Sequence, residues 1–237
     1  MSTALIILAA GMGTRMNSDL PKVLHPVAGE AMLIHAMAAG AALDPARVVV
    51  VAGHGAEAVR TAVLAHDPEA QVVIQAEQLG TAHAVAQAAP ALDGFAGDAV
   101  VLYGDTPFIR PETLARMAQA RARHDIVVLG FEAADPGRYG RLVMADDDLE
   151  RIVEFKDATE AERAITLCNS GVVMAAAPVL FDLVEAVGND NAAGEYYLTD
   201  IVTLARARGL SATAVTCAEA ETLGVNSRAE LAGAEAA

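Results

Sequence analysis

The chain has 237 residues, 54% hydrophobic and 20% charged, a balance that belongs to a globular protein able to bury a substantial core as one domain with room for a sub-domain. Its 31 acidic against 16 basic side chains leave a formal charge of −15, which repels nucleic acid and anionic membrane except at a focused basic site, so neither is expected as a partner. Cys168 and Cys217 are too few and too isolated for a disulfide framework or a CxxC metal site, and no stretch approaches the roughly 18 apolar residues of a membrane span, so a reducing, cytoplasmic setting is expected.

The run Leu5-Ile6-Ile7-Leu8 is apolar and β-branched enough for a buried parallel strand. It opens into Leu8-Ala9-Ala10-Gly11-Met12-Gly13-Thr14-Arg15-Met16, followed by Pro21-Lys22-Val23-Leu24. Gly11 and Gly13 permit positive φ and close approach of backbone to a ligand, and successive N–H groups in such a turn form an anion-binding nest. Arg15 and Lys22 add mobile positive charge, so the stretch reads as a triphosphate cradle. A dinucleotide fingerprint would need Gly or Ala where Met16 stands, and a P-loop would need Gly-Lys-Ser/Thr, so neither commoner glycine loop fits. An ordinary strand-to-helix turn explains the glycines but leaves the paired cations unused.

Val- and Ile-rich runs recur at 47–51, 71–74, 99–103 and 126–131, separated by Ala-rich stretches at 31–42, 56–65 and 81–89. That alternation predicts βαβ crossovers and a mostly parallel sheet with helices on both faces, an α/β fold. Pro111 ahead of Glu112 suits the first turn of the next helix. After about Ala133 the rhythm changes, and 137–144 with 151–155 predicts a hairpin around an exposed acidic tip, Asp146-Asp147-Asp148. The tip lacks the Gly and distal Glu of an EF-hand. Strands over 166–174 and 212–216 and helices over 178–187 and 198–208 complete the chain.

Ligands of an open parallel sheet bind beyond the carboxyl ends of its strands, where Asp105 stands just past Val100-Val101-Leu102. A carboxylate there suits Mg²⁺, which takes few protein ligands, although a turn-forming Asp suits the place as well. Gln75, at a strand end ahead of Gly80-Thr81, carries an amide able to donate and accept at a base edge; a polar strand end before a helix cap would leave it idle. The six histidines show no HExxH and no triad order, and His25, His54 and His83 read as packing or supporting residues. No serine-centred nucleophile elbow occurs, so covalent catalysis is disfavoured.

Residues 8–16 with Pro21-Lys22 look like the signature of the sugar-1-phosphate nucleotidyltransferases. Segments 75–84, 102–107, 139–141, 152–158, 169–171, 195–200 and 224–226 narrow the likeness. In order along nearly the whole chain, they resemble the uridylyltransferase domain of the bacterial N-acetylglucosamine-1-phosphate uridylyltransferases. Met12 departs from the Lys usual in that family. The resemblance implies a Rossmann-like nucleotidyltransferase fold over residues 1–230, a β-hairpin sub-region on the sugar side, and a tail at 231–237. It implies Mg²⁺-dependent uridylyl transfer from UTP to N-acetylglucosamine 1-phosphate, giving pyrophosphate and UDP-N-acetylglucosamine, a peptidoglycan precursor. Arg15, Lys22 and Asp105 would be catalytic; Leu8, Ala9, Ala10, Gly11, Gly13, Gln75, Gly80 and Thr81 would bind the nucleotide. Gly140, Glu154 and Asn169 would hold the sugar, with Tyr103, Gly104, Tyr197 and Thr199 lining that side, and Asp105 and Asn226 would hold the metal.

Read from the residues alone, Asn226 could equally cap a helix ahead of 228–230, Gly140 could be a hairpin glycine and Glu154 an exposed strand residue. Rival activities are another nucleotidyl transfer, such as thymidylyl transfer to glucose 1-phosphate, and a catalytically silent sugar-nucleotide sensor. Members of the family commonly continue into a left-handed β-helix that acetylates glucosamine 1-phosphate. Residues 229–237 cannot form one coil of it, so uridylyl transfer alone is expected of this polypeptide, whether it is naturally short or truncated.

Overall fold

Along β1 (Thr3–Ala9) the side chains alternate between two cores, Ala4, Ile6 and Leu8 to one face and Leu5, Ile7 and Ala9 to the other. A strand buried on both faces needs helices above and below it. The computed structural model describes residues 2–236 and supplies them. In chain order β1 is followed by β2 (Pro26–Val27), β3 (Glu30–Ala31), α1 (Met32–Ala41), β4 (Pro45–Ala52), α2 (Ala56–His66), β5 (Gln71–Ile74), α3 (Thr81–Ala86), β6 (Asp98–Tyr103) and α4 (Pro111–Arg121). Then come β7 (Ile126–Glu132), β8 (Arg141–Ala145), β9 (Asp148–Val153), α5 (Glu160–Arg163), β10 (Leu167–Ala176), α6 (Ala177–Glu185), α7 (Asp200–Ala207), β11 (Ala212–Cys217) and α8 (Arg228–Glu235).

The main sheet runs β11-β7-β10-β6-β1-β4-β5, with β8 on β10 and β9 on β8. The β1/β4, β1/β6, β4/β5 and β7/β11 pairs are parallel; β10 is antiparallel to both β6 and β7. Helices α1, α2 and α4 pack on the Leu5 face through residues such as Leu33, Val63 and Met117, and α3, α6 and α7 on the Ile6 face through Val85, Leu183 and Ile201. The sequence-derived picture of a mostly parallel α/β sheet covered on both sides therefore holds. So does the hairpin, whose acidic tip places Asp146 at φ 54, a conformation Asp tolerates better than most residues. Both cysteines are free, Cys168 buried and Cys217 half-buried. Among the described residues no helix is long and apolar enough to cross a membrane.

The β2/β3 hairpin and the short helix α5 escaped the sequence. The β2/β3 hairpin turns through Ala28 (φ 50) and Gly29 (φ 86), a two-residue turn with both central residues at positive φ, and its strands are too short to show a period. Helix α8 begins where Ser227 caps it, the hydroxyl accepting from the Glu230 N–H at 3.3 Å. The helix runs through residues 230 and 231 to Glu235. Ala234 packs with Val27, Met32 and Val225.

Candidate active site

From β1 the chain moves outward through α1 to β4 and α2 to β5, then returns through α3 on the opposite face to lay β6 on the other side of β1. The carboxyl ends of β1 and β6 are thus a topological switch point, where connections part and leave a crevice. A cleft of about 330 Å³ opens there. Its walls carry Leu8, Ala9, Ala10, Gly11, Lys22, Gln75, Gly80, Thr81, Tyr103 and Asp105 of the expected site, together with Gln78 and Glu195. The Gly104 N–H donates to the Leu8 carbonyl at 2.9 Å and ties the two strand ends together.

In the glycine loop only Gly13 is left-handed, at φ 59; Gly11 is not, so the expectation of positive φ holds at one glycine of the two. A Cβ at Gly13 would lie 2.7 Å from the Lys22 Cβ, so the absent side chain lets Lys22 pack beneath the loop. The N–H groups of Gly11, Met12 and Gly13 donate to no described residue, which leaves them for an anion. Met12 is exposed at 57%. Arg15 is also exposed, pairs with no described residue and lies off the cleft wall. Arg228, which the sequence did not suggest, clamps the loop from α8: its Nε donates to the Met16 carbonyl at 2.9 Å and its Nη2 to that of Asn17 at 3.3 Å.

Lys22 is the meeting point of the site. Its ammonium pairs with the Asp105 carboxylate and donates to Asn226 Oδ1 at 2.9 Å, with both acidic partner and base largely shielded from water. Asn226 reaches this place because the Val225 N–H donates to the Asp105 carbonyl at 3.0 Å, bringing 224–226 beside the end of β6. The helix-capping alternative for Asn226 falls to Ser227. The turn after β6 is closed by Thr106, whose N–H and hydroxyl both donate to the Tyr103 carbonyl, so the Asp105 side chain is not spent on it. A carboxylate oxygen and an amide oxygen thus already face one cation. Hard oxygen donors of this kind fit Mg²⁺, which fills its remaining positions with water or phosphate oxygen; no cluster of three His, Cys, Asp or Glu ligands occurs among the described residues.

At the base end, Gln75 is only 3% exposed and its Nε2 donates to the Gly80 carbonyl at 3.2 Å. Gly80 sits at φ 125, and a Cβ there would lie 2.5 Å from the Tyr196 carbonyl oxygen. The close approach that requires glycine is therefore to the Tyr196 backbone, which pairs with Leu79 and Ala82 through two bonds of 2.9 Å. The Thr81 hydroxyl accepts from the Leu198 N–H at 2.9 Å. Gly80 and Thr81 thereby stitch this wall of the cleft to the segment that carries Tyr197 and Thr199.

The three residues expected to hold the sugar, Gly140, Glu154 and Asn169, do converge. The Asn169 N–H donates to the Gly140 carbonyl at 2.9 Å, and the space a Gly140 Cβ would take lies 3.5 Å from both the Asn169 Cβ and Glu154 Oε1. A bulge in β10 makes this possible: Gly171 at φ 93 leans on the Tyr103 ring, and its N–H donates to Asn169 Oδ1 at 3.0 Å. Thr199 donates to Glu154 Oε1 at 3.1 Å. Burial pushes the Glu154 carboxyl up from its ordinary range, with Asp200, Asp157 and Glu195 adding to it. Glu154 is thus partly buried, not an exposed strand residue. Burial first, then Glu154 and Asp105, push the Tyr103 phenol well up. A second cavity of about 400 Å³, walled by Arg138, Glu154, Phe155 and Tyr197, adjoins the first across Glu195.

Residues 5–167 match the MobA-like NTP transferase domain. The chain belongs to that family. Curated relatives carry it further: the bifunctional protein GlmU of Ruegeria pomeroyi is 70% identical over 236 residues, covering 100% of this chain and 52% of that protein. The bifunctional protein GlmU of Paracoccus denitrificans is 63% identical over 234 residues, 99% of this chain and 52% of its own length. The chain spans about half the length of the curated relatives it matches. A putative glucose-1-phosphate thymidylyltransferase from Bacillus anthracis, solved in complex with a sucrose, superposes with a TM-score of 0.79 at 20% identity, over 99% of this chain and 94% of that one; at such identity the likeness is one of fold.

For a nucleotidyltransferase domain the second unforeseen residue is Arg141. It is 2% exposed, its guanidinium donates to the carbonyls of Tyr139, Gly137 and Arg163, and no carboxylate pairs with it. A buried cation satisfied by three carbonyls fixes the loop that presents Gly140. Its position directly after Gly140 was the only sequence signal.

Proposed function

We propose that the chain catalyses Mg²⁺-dependent uridylyl transfer from UTP to N-acetyl-α-D-glucosamine 1-phosphate, yielding UDP-N-acetylglucosamine and pyrophosphate, in the cytoplasm. The observation that carries this reading is the convergence of Asp105 and Asn226, 121 positions apart in the numbering, on one cation, the Lys22 ammonium, at the wall of the first cleft. The 70% identity to relatives named bifunctional protein GlmU supports it independently.

In this reading an oxygen of the sugar phosphate attacks the α-phosphorus of UTP in line, and the bond from that phosphorus to the bridging oxygen of the leaving pyrophosphate breaks. The second pKa of a phosphomonoester is near ~6, so the nucleophile is ionised at neutral pH and needs no general base. That agrees with a cleft whose described lining, Asp105 included, holds no histidine. Catalysis is then positioning and charge stabilisation. Mg²⁺ supplies charge neutralisation at the reacting phosphorus when it is bound by Asp105 and Asn226. The open N–H groups of Gly11, Met12 and Gly13 cradle phosphate oxygens. Lys22 carries its ammonium on a flexible four-carbon stem and offsets charge on the pyrophosphate as it leaves, with Arg15 reaching in from the exposed side. Asn169, its Oδ1 already taken by Gly171, offers an NH₂ donor that suits the acetamido carbonyl, and Glu154 accepts from sugar hydroxyls.

The test is a pyrophosphate-release panel of UTP, dTTP, CTP and GTP against several sugar 1-phosphates. UTP with N-acetylglucosamine 1-phosphate should give the highest kcat/KM. A maximum at dTTP with glucose 1-phosphate, or no pyrophosphate from any pair, would overturn the reading.

A further inference from the structure

Gln75 is buried at the base end of the cleft, and its neighbours settle which way its amide faces. The Gly80 carbonyl can only accept, so the Gln75 atom 3.2 Å from it is the NH₂ nitrogen. The same nitrogen lies 3.0 Å from His83 Nδ1, in the first turn of α3. With one N–H spent on Gly80, the second points at the ring, and Nδ1 must offer a lone pair to receive it. The other ring nitrogen lies 3.2 Å from Gln87 Nε2, which also donates to the His83 carbonyl at 3.0 Å. A neutral imidazole has one lone pair to divide between two amides. Gln75 is buried and Gln87 is half-exposed with water at hand, so the buried donor takes it and the ring proton resides on Nε2.

Both hydrogens of the Gln75 amide are then committed to the protein. Its Oε1 receives no hydrogen bond from any described residue, and it is the atom left for the cleft. An acceptor there suits a base with an N–H between two carbonyls, as uracil and thymine have at N3. It opposes cytosine, which presents a lone pair at N3.

We infer that His83 is a positioning residue for base selection: by accepting from Gln75, it holds the amide so that only the oxygen faces the base, and so favours imide pyrimidines over cytosine. This rests on the reading of the cleft as a nucleotide site with Gln75 at the base. A donor-only or freely rotating amide would lose the preference, because it could present NH₂ to cytosine as readily as oxygen to uracil.

Three substitutions test it on the full chain, each checked by thermal melting. His83→Leu removes the acceptor. His83→Asn places a carbonyl oxygen near the position of Nδ1, and His83→Gln places it one bond farther out, near Nε2. The readout is the ratio of kcat/KM for UTP to that for CTP, with calorimetric binding of each nucleotide alongside. His83→Leu and His83→Gln should lower the ratio by roughly tenfold or more, the scale of a buried donor left unpaired, while His83→Asn should stay within about twofold of wild type. If His83→Leu does not fold, the Asn and Gln variants decide alone, since they differ in reach and not in polarity. A ratio unchanged in His83→Gln, or lowered equally in the Asn and Gln variants, overturns the inference. Gln75→Ala separates the two levels: if it keeps full discrimination, Gln75 does not read the base; if it loses discrimination while the His83 variants keep it, only the positioning role fails.

Discussion

At the ends of β1 and β6 the chain offers backbone to the cleft: the N–H groups of Gly11, Met12 and Gly13 donate to no described residue, Gly11 lines the wall, and Gly104 ties the strand ends through Leu8. Beyond Glu195 the wall is side chains, with Glu154 held by Thr199, Asn169 turned by a bulge, and Arg141 buried beneath the loop of Gly140. The first region needs only a parallel strand, glycine and a switch in strand order, all of which topology supplies. The second needs an antiparallel strand, a bulge and a buried cation to bring residues 140, 154 and 169 to one point. Backbone donors can serve any triphosphate, so selectivity toward the sugar has to come from the side-chain wall. Three substitutions where the two walls meet and one on the side-chain wall press on that division.

The largest effect is expected at the junction. Asp105→Asn keeps the side-chain shape and removes one full charge from beyond a strand end, so turnover should fall by about a hundredfold or more while the melting temperature barely moves. Near-wild-type Mg²⁺-dependent pyrophosphate release by the folded variant would remove Asp105 from the metal site. Lys22→Ala should lower kcat by roughly tenfold or more and change the Michaelis constant for UTP less, because its charge counts most as pyrophosphate leaves. Steady-state kinetics with an unchanged kcat and only a raised Michaelis constant would make Lys22 a binding residue.

Where the backbone wall meets the side-chain wall, Gly80→Ala tests the stitch. The added Cβ would collide with the Tyr196 backbone, and the residue would be held at φ 125, a strain of about 1–3 kcal/mol visible in denaturant unfolding. A variant as stable as wild type would show that the Tyr196 segment moves aside without penalty.

Glu154→Gln is the mildest and the most specific to the sugar side. Burial raises the Glu154 carboxyl above its ordinary 4.5, so folding favours the protonated form. Its contribution to stability is fully present below pH 4.5 and is lost as pH rises through the raised value. The variant should therefore melt less steeply with rising pH than wild type over that window, keep the Thr199 bond, and raise the Michaelis constant for the sugar phosphate more than that for UTP. Parallel melting-temperature profiles for the two proteins would contradict a buried carboxylate.

The same contrast governs what the sequence disclosed. The β-branched runs at 5–8 and 126–131 announce buried strands because the period and the burial are local. The glycine loop, Lys22 and Asp105 are legible because a strand end and a cation are neighbours in the chain. The course of α8 beyond residue 230 was invisible because Ala234 finds its apolar partners at Val27 and Met32, some two hundred residues away. Arg228 shows nothing locally either, since the carbonyls it satisfies, those of Met16 and Asn17, are brought to it by folding, while Arg141 closes its own loop on Gly137 and Tyr139 and needs the fold only for Arg163. The sugar-side residues were found by resemblance alone. Arg15 was placed in the site on its charge, and the fold leaves it exposed at the loop's rim.

The central claim is that the two cavities deliver a sugar phosphate to the α-phosphorus of UTP. Wild-type protein with N-acetylglucosamine 1-phosphate and UTP labelled at the α-phosphorus should place all transferred label in UDP-N-acetylglucosamine, while label at the γ-phosphorus should leave in pyrophosphate. Label from the γ-position in orthophosphate, or α-label that never joins the sugar, would contradict the account.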